Sequence, residues 1–237
     1  MGTRPLPQPD TLTGVIAALP AEARTARPLA RCGWRLVTSG MGSTNAQAAA
    51  KALLDSGVER LLVWGTAGAL QASLQPGTLI LASNVVDCEG THYPASTAWQ
   101  AQLRACVPAG IRTNSGTLVT VPQPAADLAA KTALTRQTGA VAADMETAAI
   151  ARFAMANNLP FAVVRAIVDP LAQPVPQAVV QTPPGSHLAL RVALRIARRP
   201  RDLPAIAALA QNMRAAQRSL AAMASQLAIA PHDEAVG

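Results

Sequence analysis

Arg60-Leu-Leu-Val-Trp-Gly-Thr-Ala-Gly68 is the stretch on which the architecture turns. Its first five residues form a short apolar run of strand length, and the run enters a glycine-bounded polar turn with no spacer. Similar runs lie on both sides of it. Upstream, residues 12–18 (Leu-Thr-Gly-Val-Ile-Ala-Ala) predict a buried strand, after which Pro20 sets a helix start with Glu22 in the first turn. Residues 34–38 predict a second strand ending in Ser39-Gly-Met-Gly42, with Ser43 or Thr44 capping an alanine-rich helix over 44–56.

Downstream, 77–86 predicts one longer strand, and helical material follows near 96–106. A strand is expected at 117–121 and a helix at 125–137. Val141-Ala-Ala then enters Asp144-Met-Glu146, with a helix continuing to Asn157. Pro160-Phe-Ala-Val-Val-Arg-Ala-Ile-Val168 predicts a further strand, closed by Asp169-Pro170. Strands alternating with helices predict a single α/β domain whose central sheet is mixed but largely parallel and flanked by helices. Functional groups then gather at the carboxyl ends of the strands. A Pro-rich connector begins at 170, and helices are expected over 186–198 and 203–228. The organisation expected is a disordered lead-in over 1–11, an α/β core over 12–170, and a connector with basic helices over 171–237 completing the same domain.

Composition narrows the function. Hydrophobic residues make up 50% of the 237 and charged residues 14%, which excludes general disorder. The longest uncharged stretches are broken by Pro, Gly or polar residues, so no membrane span is expected, and the N-terminal residues lack the apolar segment of a secretory signal. Cys32, Cys88 and Cys106 are odd in number and widely spaced, against a disulfide framework and in favour of a reducing, cytoplasmic setting. The net charge of +7 is uneven: residues 1–170 carry 13 basic and 10 acidic groups, residues 171–232 seven Arg and one Asp. Aromatics are 3% of the chain and do not interleave with the basic residues, so no nucleic-acid partner is expected.

No metal-binding spacing, Walker loop or complete dinucleotide fingerprint is present, and neither a metal nor a cofactor is expected. What remains is a set of polar groups at predicted strand ends and helix starts: Glu22, Ser39, Thr66, Glu146, Arg165 and Asp169. Singly, each has an ordinary structural explanation. Glu22 suits a helix dipole, Thr66 a turn, Glu146 a helix N-terminus, and Asp169 before Pro a turn start.

Gly14-Val-Ile-Ala-Ala-Leu-Pro-Ala-Glu22, Gly40-Met-Gly42, Gly65-Thr-Ala-Gly-Ala-Leu70, Ala143-Asp-Met-Glu-Thr-Ala-Ala149 and Val163-Val-Arg-Ala-Ile-Val-Asp169 occur in one order. Together they resemble the purine nucleoside phosphorylase and methylthioadenosine/S-adenosylhomocysteine nucleosidase family. Residues 198–210 (Arg-Arg-Pro-Arg-Asp-Leu-Pro-Ala-Ile-Ala-Ala-Leu-Ala) are similar to the tail of its hopanoid-associated branch, linked to adenine removal from adenosylhopane.

The resemblance implies cleavage of the C1′–N9 bond through an oxocarbenium-like sugar. By it, Asp169 is the general acid at adenine N7, kept protonated by burial. Glu146 holds the ribose hydroxyls, Met145 packs on the sugar, and Glu22 is the base for water, with Thr66 and Arg165 positioning the nucleophile. Val63-Trp64 stand where bacterial hexameric phosphorylases place an Arg, and a carboxylate facing phosphate is repulsive. Hydrolysis is therefore favoured over phosphorolysis, in which phosphate would be the co-substrate. Two departures stand out: Val168 occupies the usual Ser position before the acid, and Val119-Thr-Val-Pro-Gln123 offers no base-stacking aromatic.

Helix 186–198 puts Arg191, Arg195 and Arg198 on one stripe with apolar residues around the rest. Two readings stay open for it: a membrane-contacting interfacial helix giving a peripheral position on the inner membrane, or an amphipathic helix packed on the sheet. Two alternatives to adenosylhopane cleavage also stand, a soluble methylthioadenosine/S-adenosylhomocysteine nucleosidase and a catalytically silent nucleoside-binding or membrane-associated protein. A homo-oligomer, a dimer first, is what the resemblance implies.

Overall fold

The computed structural model describes residues 11–125, 127–173 and 203–229. The first ten residues and helix 186–198, with Arg191, Arg195 and Arg198, lie outside the described residues.

The apolar runs form a ten-stranded sheet: β1 (Thr13–Ala17), β2 (Arg35–Thr38), β3 (Arg60–Ala69), β4 (Leu79–Leu81), β5 (Asn84–Val86), β6 (His92–Pro94), β7 (Thr113–Asn114), β8 (Thr117–Thr120), β9 (Ala142–Asp144) and β10 (Phe161–Asp169). Six of its nine pairings are parallel, so the sheet is mixed and largely parallel as expected. The helices are α1 (Pro20–Thr25), α2 (Arg27–Arg31), α3 (Ser43–Asp55), α4 (Thr97–Ala105), α5 (Leu128–Thr138), α6 (Thr147–Ala156) and α7 (Leu203–Ile229).

β3 organises the molecule because it has more neighbours than a strand has edges. One edge pairs with β10 from Leu61 to Gly68. The other pairs first with β1, which stops opposite Trp64, and then with β9, whose Ala143 and Ala142 lie opposite Gly68 and Ala69. The sheet therefore forks, leaving Gly65–Ala67 without a strand partner on that edge.

Helices cover both faces. Leu53 and the alanines of α3 and α6 pack with Ile16, Val63 and Val163 on one side. Leu29, Trp99, Leu103 and the α7 residues Ala216, Leu220, Met223 and Ala224 pack with Val15, Leu62, Trp64 and Val164 on the other. Alanine combines high helix propensity with a small side chain, so these helices lie close to the strands. A smaller cluster of Leu70, Val86, Val119 and Val121 sits near Leu134 of α5.

Several local expectations are corrected. The stretch 77–86 is two strands: β4 pairs with β10 and β7, whereas β5 pairs with β6 and β8. Helix α3 starts at Ser43 itself, with Gly42 at the cap (φ 95) and no side-chain cap bond from Ser43 or Thr44. Helix α5 starts at Leu128 because the Asp127 carboxylate accepts the Ala130 N–H at 2.8 Å. The short elements α2, β6 and β7 had no sequence signal strong enough to predict them.

Candidate active site

Glu22, Thr66, Met145, Glu146, Arg165 and Asp169 all line one cavity of about 260 Å³. Ser39 does not line it; its hydroxyl donates to the Gly40 carbonyl at 2.7 Å.

The fork in the sheet places Glu22. Beyond the end of β1 the chain turns into α1, and the Glu22 carboxylate folds back to the unpaired segment of β3. Its Oε1 accepts the Thr66 N–H and the Thr66 hydroxyl, each at 2.8 Å. Its Oε2 accepts the Leu19 N–H at 3.0 Å, capping the first turn of α1. A carboxylate only 2% exposed is thus oriented by three donors, two of them backbone groups.

Arg165 lies opposite Gly65 across the β3–β10 pairing. Its Nη2 donates to Asp144 Oδ2 at 2.5 Å and to Thr147 Oγ1 at 2.8 Å. Thr147 also donates to Asp144, as does Thr120 at 2.8 Å. Sequence reasoning quoted Asp144 within a motif but gave it no role. Its network is what holds Arg165. Burial works against the guanidinium's charge, but Asp144, Glu22 and Glu146 more than offset it and hold the proton on.

Glycine at 65 is required by close approach. A Cβ there would fall on Arg165 Nη1 and 2.8 Å from the Glu22 carboxylate. Gly65→Ala is expected to cost about 1–3 kcal/mol by overpacking. Thermal unfolding checks this, at about 2–4 °C of Tm per kcal/mol in a chain of this size.

Glu146 sits at the N-terminus of α6 and accepts the Gly42 N–H at 3.1 Å, tying the 40–42 loop to the cavity. Burial pushes its carboxyl above the usual range, with Arg165 pulling the other way. Met145 beside it lines the wall.

Asp169 ends β10, and a register shift between Ile167 and Asp169 brings both Val168 and Asp169 to the cavity. Its Oδ2 lies 2.8 Å from Lys131 Nζ. Burial nevertheless outweighs that pairing and raises the Asp169 carboxyl above its ordinary range. Lys131 was not a candidate from the sequence. Nothing but its rarity, as one of two lysines, set it apart.

The rest of the lining is apolar, including Leu19, Met41, Leu70, Val121, Pro124, and Leu209 and Met213 from α7. No aromatic ring is among the described lining residues. Trp64 is fully buried in the neighbouring core, its indole N–H donating to Thr25 Oγ1 at 2.8 Å. Among the described residues no cluster of His, Cys, Asp and Glu is placed to hold a metal ion, and no helix is long and apolar enough to cross a membrane.

Chemically, two of the cavity's four carboxyl groups, Glu22 and Asp169, stand in different settings. Glu22 is fixed by donors, while Asp169 is raised by burial beside an ammonium. That asymmetry suits one base and one acid.

A model of the phosphorylase superfamily matches residues 29–187. No curated protein sequence matches the chain. The structure of 5′-methylthioadenosine/S-adenosylhomocysteine nucleosidase from Neisseria meningitidis in complex with methylthio-immucillin-A aligns with a TM-score of 0.68 and 16% identity, covering 92% of this chain and 98% of that one. The corresponding nucleosidase from S. pneumoniae gives 0.64 and 18%, covering 91% and 99%. Futalosine hydrolase of Helicobacter pylori gives 0.67 and 16%, covering 90% and 97%. At these identities the likeness is one of fold.

Proposed function

The chain belongs to the phosphorylase superfamily and is an enzyme of N-glycosidic bond cleavage, and on that premise we propose that it hydrolyses a 5′-substituted adenine nucleoside. The observation that carries this reading is the placement of Glu22, Glu146 and Asp169 around one cavity.

The chemistry follows from their settings. The C1′–N9 bond breaks toward the base as Asp169 gives its proton to N7, so that adenine leaves neutral. Water then bonds to C1′ while Glu22 takes its proton. Glu146 accepts the ribose hydroxyls, and its negative charge favours the cationic sugar between the two steps. Thr66 holds the base and Arg165 the surrounding carboxylates.

Charge favours water over phosphate. Four carboxyl groups line the cavity (Glu22, Asp144, Glu146, Asp169) against two cations, Lys131 and Arg165. Both cations already touch a carboxylate, Asp169 and Asp144 respectively. Among the described lining residues no uncommitted cation remains to receive a phosphate dianion.

For the 5′ substituent the proposal is a hopane lipid, supported by the resemblance of residues 198–210 to the hopanoid-associated branch and by the apolar wall. Leu209 and Met213 are half-buried, so a group too large for the cavity would lie along them. A small 5′-alkylthio group is the second reading, favoured by the modest cavity volume of about 260 Å³ and by the neighbours named methylthioadenosine nucleosidases.

The test is adenine release from adenosylhopane in detergent and from methylthioadenosine, each with and without phosphate. Free ribosyl product in both buffers is expected, with the better substrate identifying the 5′ group. A ribosyl 1-phosphate formed only in phosphate would overturn hydrolysis. No adenine from either nucleoside would place the substrate outside the 5′-substituted adenosines.

A further inference from the structure

Val168, the residue before the acid, has no polar side-chain atom with which to orient Asp169. The donor comes instead from a different element. Lys131, on α5, is buried to within 2% of full exclusion from solvent, and its ammonium is committed to the end of β10. It pairs with Asp169 Oδ2 at 2.8 Å and donates to the Pro170 carbonyl at 2.9 Å and to the Gln173 carbonyl at 3.2 Å. A buried ammonium is costly unless it is paired and hydrogen-bonded, and here it is both. We propose that Lys131 is a positioning residue for Asp169, and that by holding Oδ2 it leaves Oδ1 as the oxygen that carries and delivers the proton.

This assignment rests on the reading of Asp169 as the acid. It adds a charge that acts on the proton transfer itself. Before the step Lys131 faces a neutral carboxyl. After it, the proton is on the purine, the C1′–N9 bond is broken, and the same ammonium faces a carboxylate. Its attraction grows as the bond breaks, the condition for lowering a barrier rather than merely binding. The tie also reaches the helix wall, since Gln173 Oε1 accepts a hydrogen bond from the Asn212 side-chain Nδ2 of α7 at 2.9 Å.

Among the described residues Lys131 is the charged group in contact with Asp169. From β3 the neighbour is Gly68, and from α7 the apolar Leu209 and Met213 face the cavity. The remaining charges of the cavity, Glu22, Asp144 and Glu146, are grouped about Arg165. Burial raises the Asp169 carboxyl and Lys131 draws it down. The acid works protonated, so the rate is full below its pKa and falls as pH rises through it. Removing the ammonium raises that pKa, and the alkaline limb of kcat/KM moves to higher pH.

The experiment is the pH profile of kcat and kcat/KM for K131M, K131Q and K131R, with thermal unfolding of each. For K131M and K131Q the alkaline limb is expected to rise by about one pH unit or more. Their plateau kcat is expected to fall about tenfold, because a weaker, less fixed acid transfers its proton more slowly. K131R keeps the charge and is expected to keep the limb. Gln retains a hydrogen-bond donor, so the limb is read on K131Q if K131M does not fold. A lower kcat with the limb unmoved in K131M and K131Q would reduce Lys131 to a structural residue and overturn the proposal. Full activity in D169N would instead overturn the assignment of the acid on which the proposal stands, so the two failures are told apart.

Discussion

With Glu22 as the proposed base, Glu22→Gln is expected to lower kcat by about 10²–10³-fold while KM changes little. The substitution is nearly isosteric, so the cavity keeps its shape. What it removes is the ability to accept a proton from water, a loss felt in the transition state and not in the binding of the nucleoside. The surrounding donors also decide how Gln sits. Thr66 offers two donors to Oε1 and Leu19 one to Oε2, so whichever end the new amide nitrogen takes, it faces an N–H or O–H. The lost acceptor costs roughly 1–3 kcal/mol of stability. Adenine release over time gives kcat and KM, and thermal unfolding gives the second effect. A kcat within twofold of the parent would place the base elsewhere.

The other large effect is at Asp169. Asp169→Asn is expected to lower kcat by about 10²–10³-fold, with inhibitor or product binding retained. Lys131 selects the rotamer of the new amide: its ammonium needs an acceptor, so the carbonyl oxygen turns to it and the NH₂ faces the cavity. That NH₂ can still donate a hydrogen bond to a purine nitrogen but cannot surrender a proton. Binding survives, bond cleavage does not, and the alkaline limb assigned to Asp169 disappears from the profile. A rate within threefold of the parent would mean that departure of the base needs no acid at this position.

Glu22, Glu146 and Asp169 stood out in the sequence because each lies where a strand ends or a helix begins, whereas Thr66, expected in a turn after Trp64, sits inside β3, which continues to Ala69. The helices were legible for a similar reason, through alanine-rich stretches of helical length. Lys131 was not, since its role depends on α5 crossing to the end of β10, 38 residues later in the chain, and no local pattern records that approach. The Asp144–Arg165 pair was half visible: both residues sat in quoted motifs, yet their contact is set by the alignment of β9 and β10 around β3. The break between β4 and β5 was hidden because the apolar pattern carries through Ala82 without punctuation, and the separation comes from their pairing with different strands.

The forked strand has a consequence for how the two chemical groups are spaced. Thr66, which grips Glu22, and Gly68, which lies beside Asp169, are neighbours but one on the same strand. At roughly 3.3 Å of rise per residue their separation is about 6.6 Å, a length written into covalent bonds. No loop has to close to establish it, and no helix shift can easily stretch it. The backbone acts as a ruler between the two carboxyl groups. An exchange of Leu209 or Met213 on the helix-borne apolar wall would leave that spacing as it is.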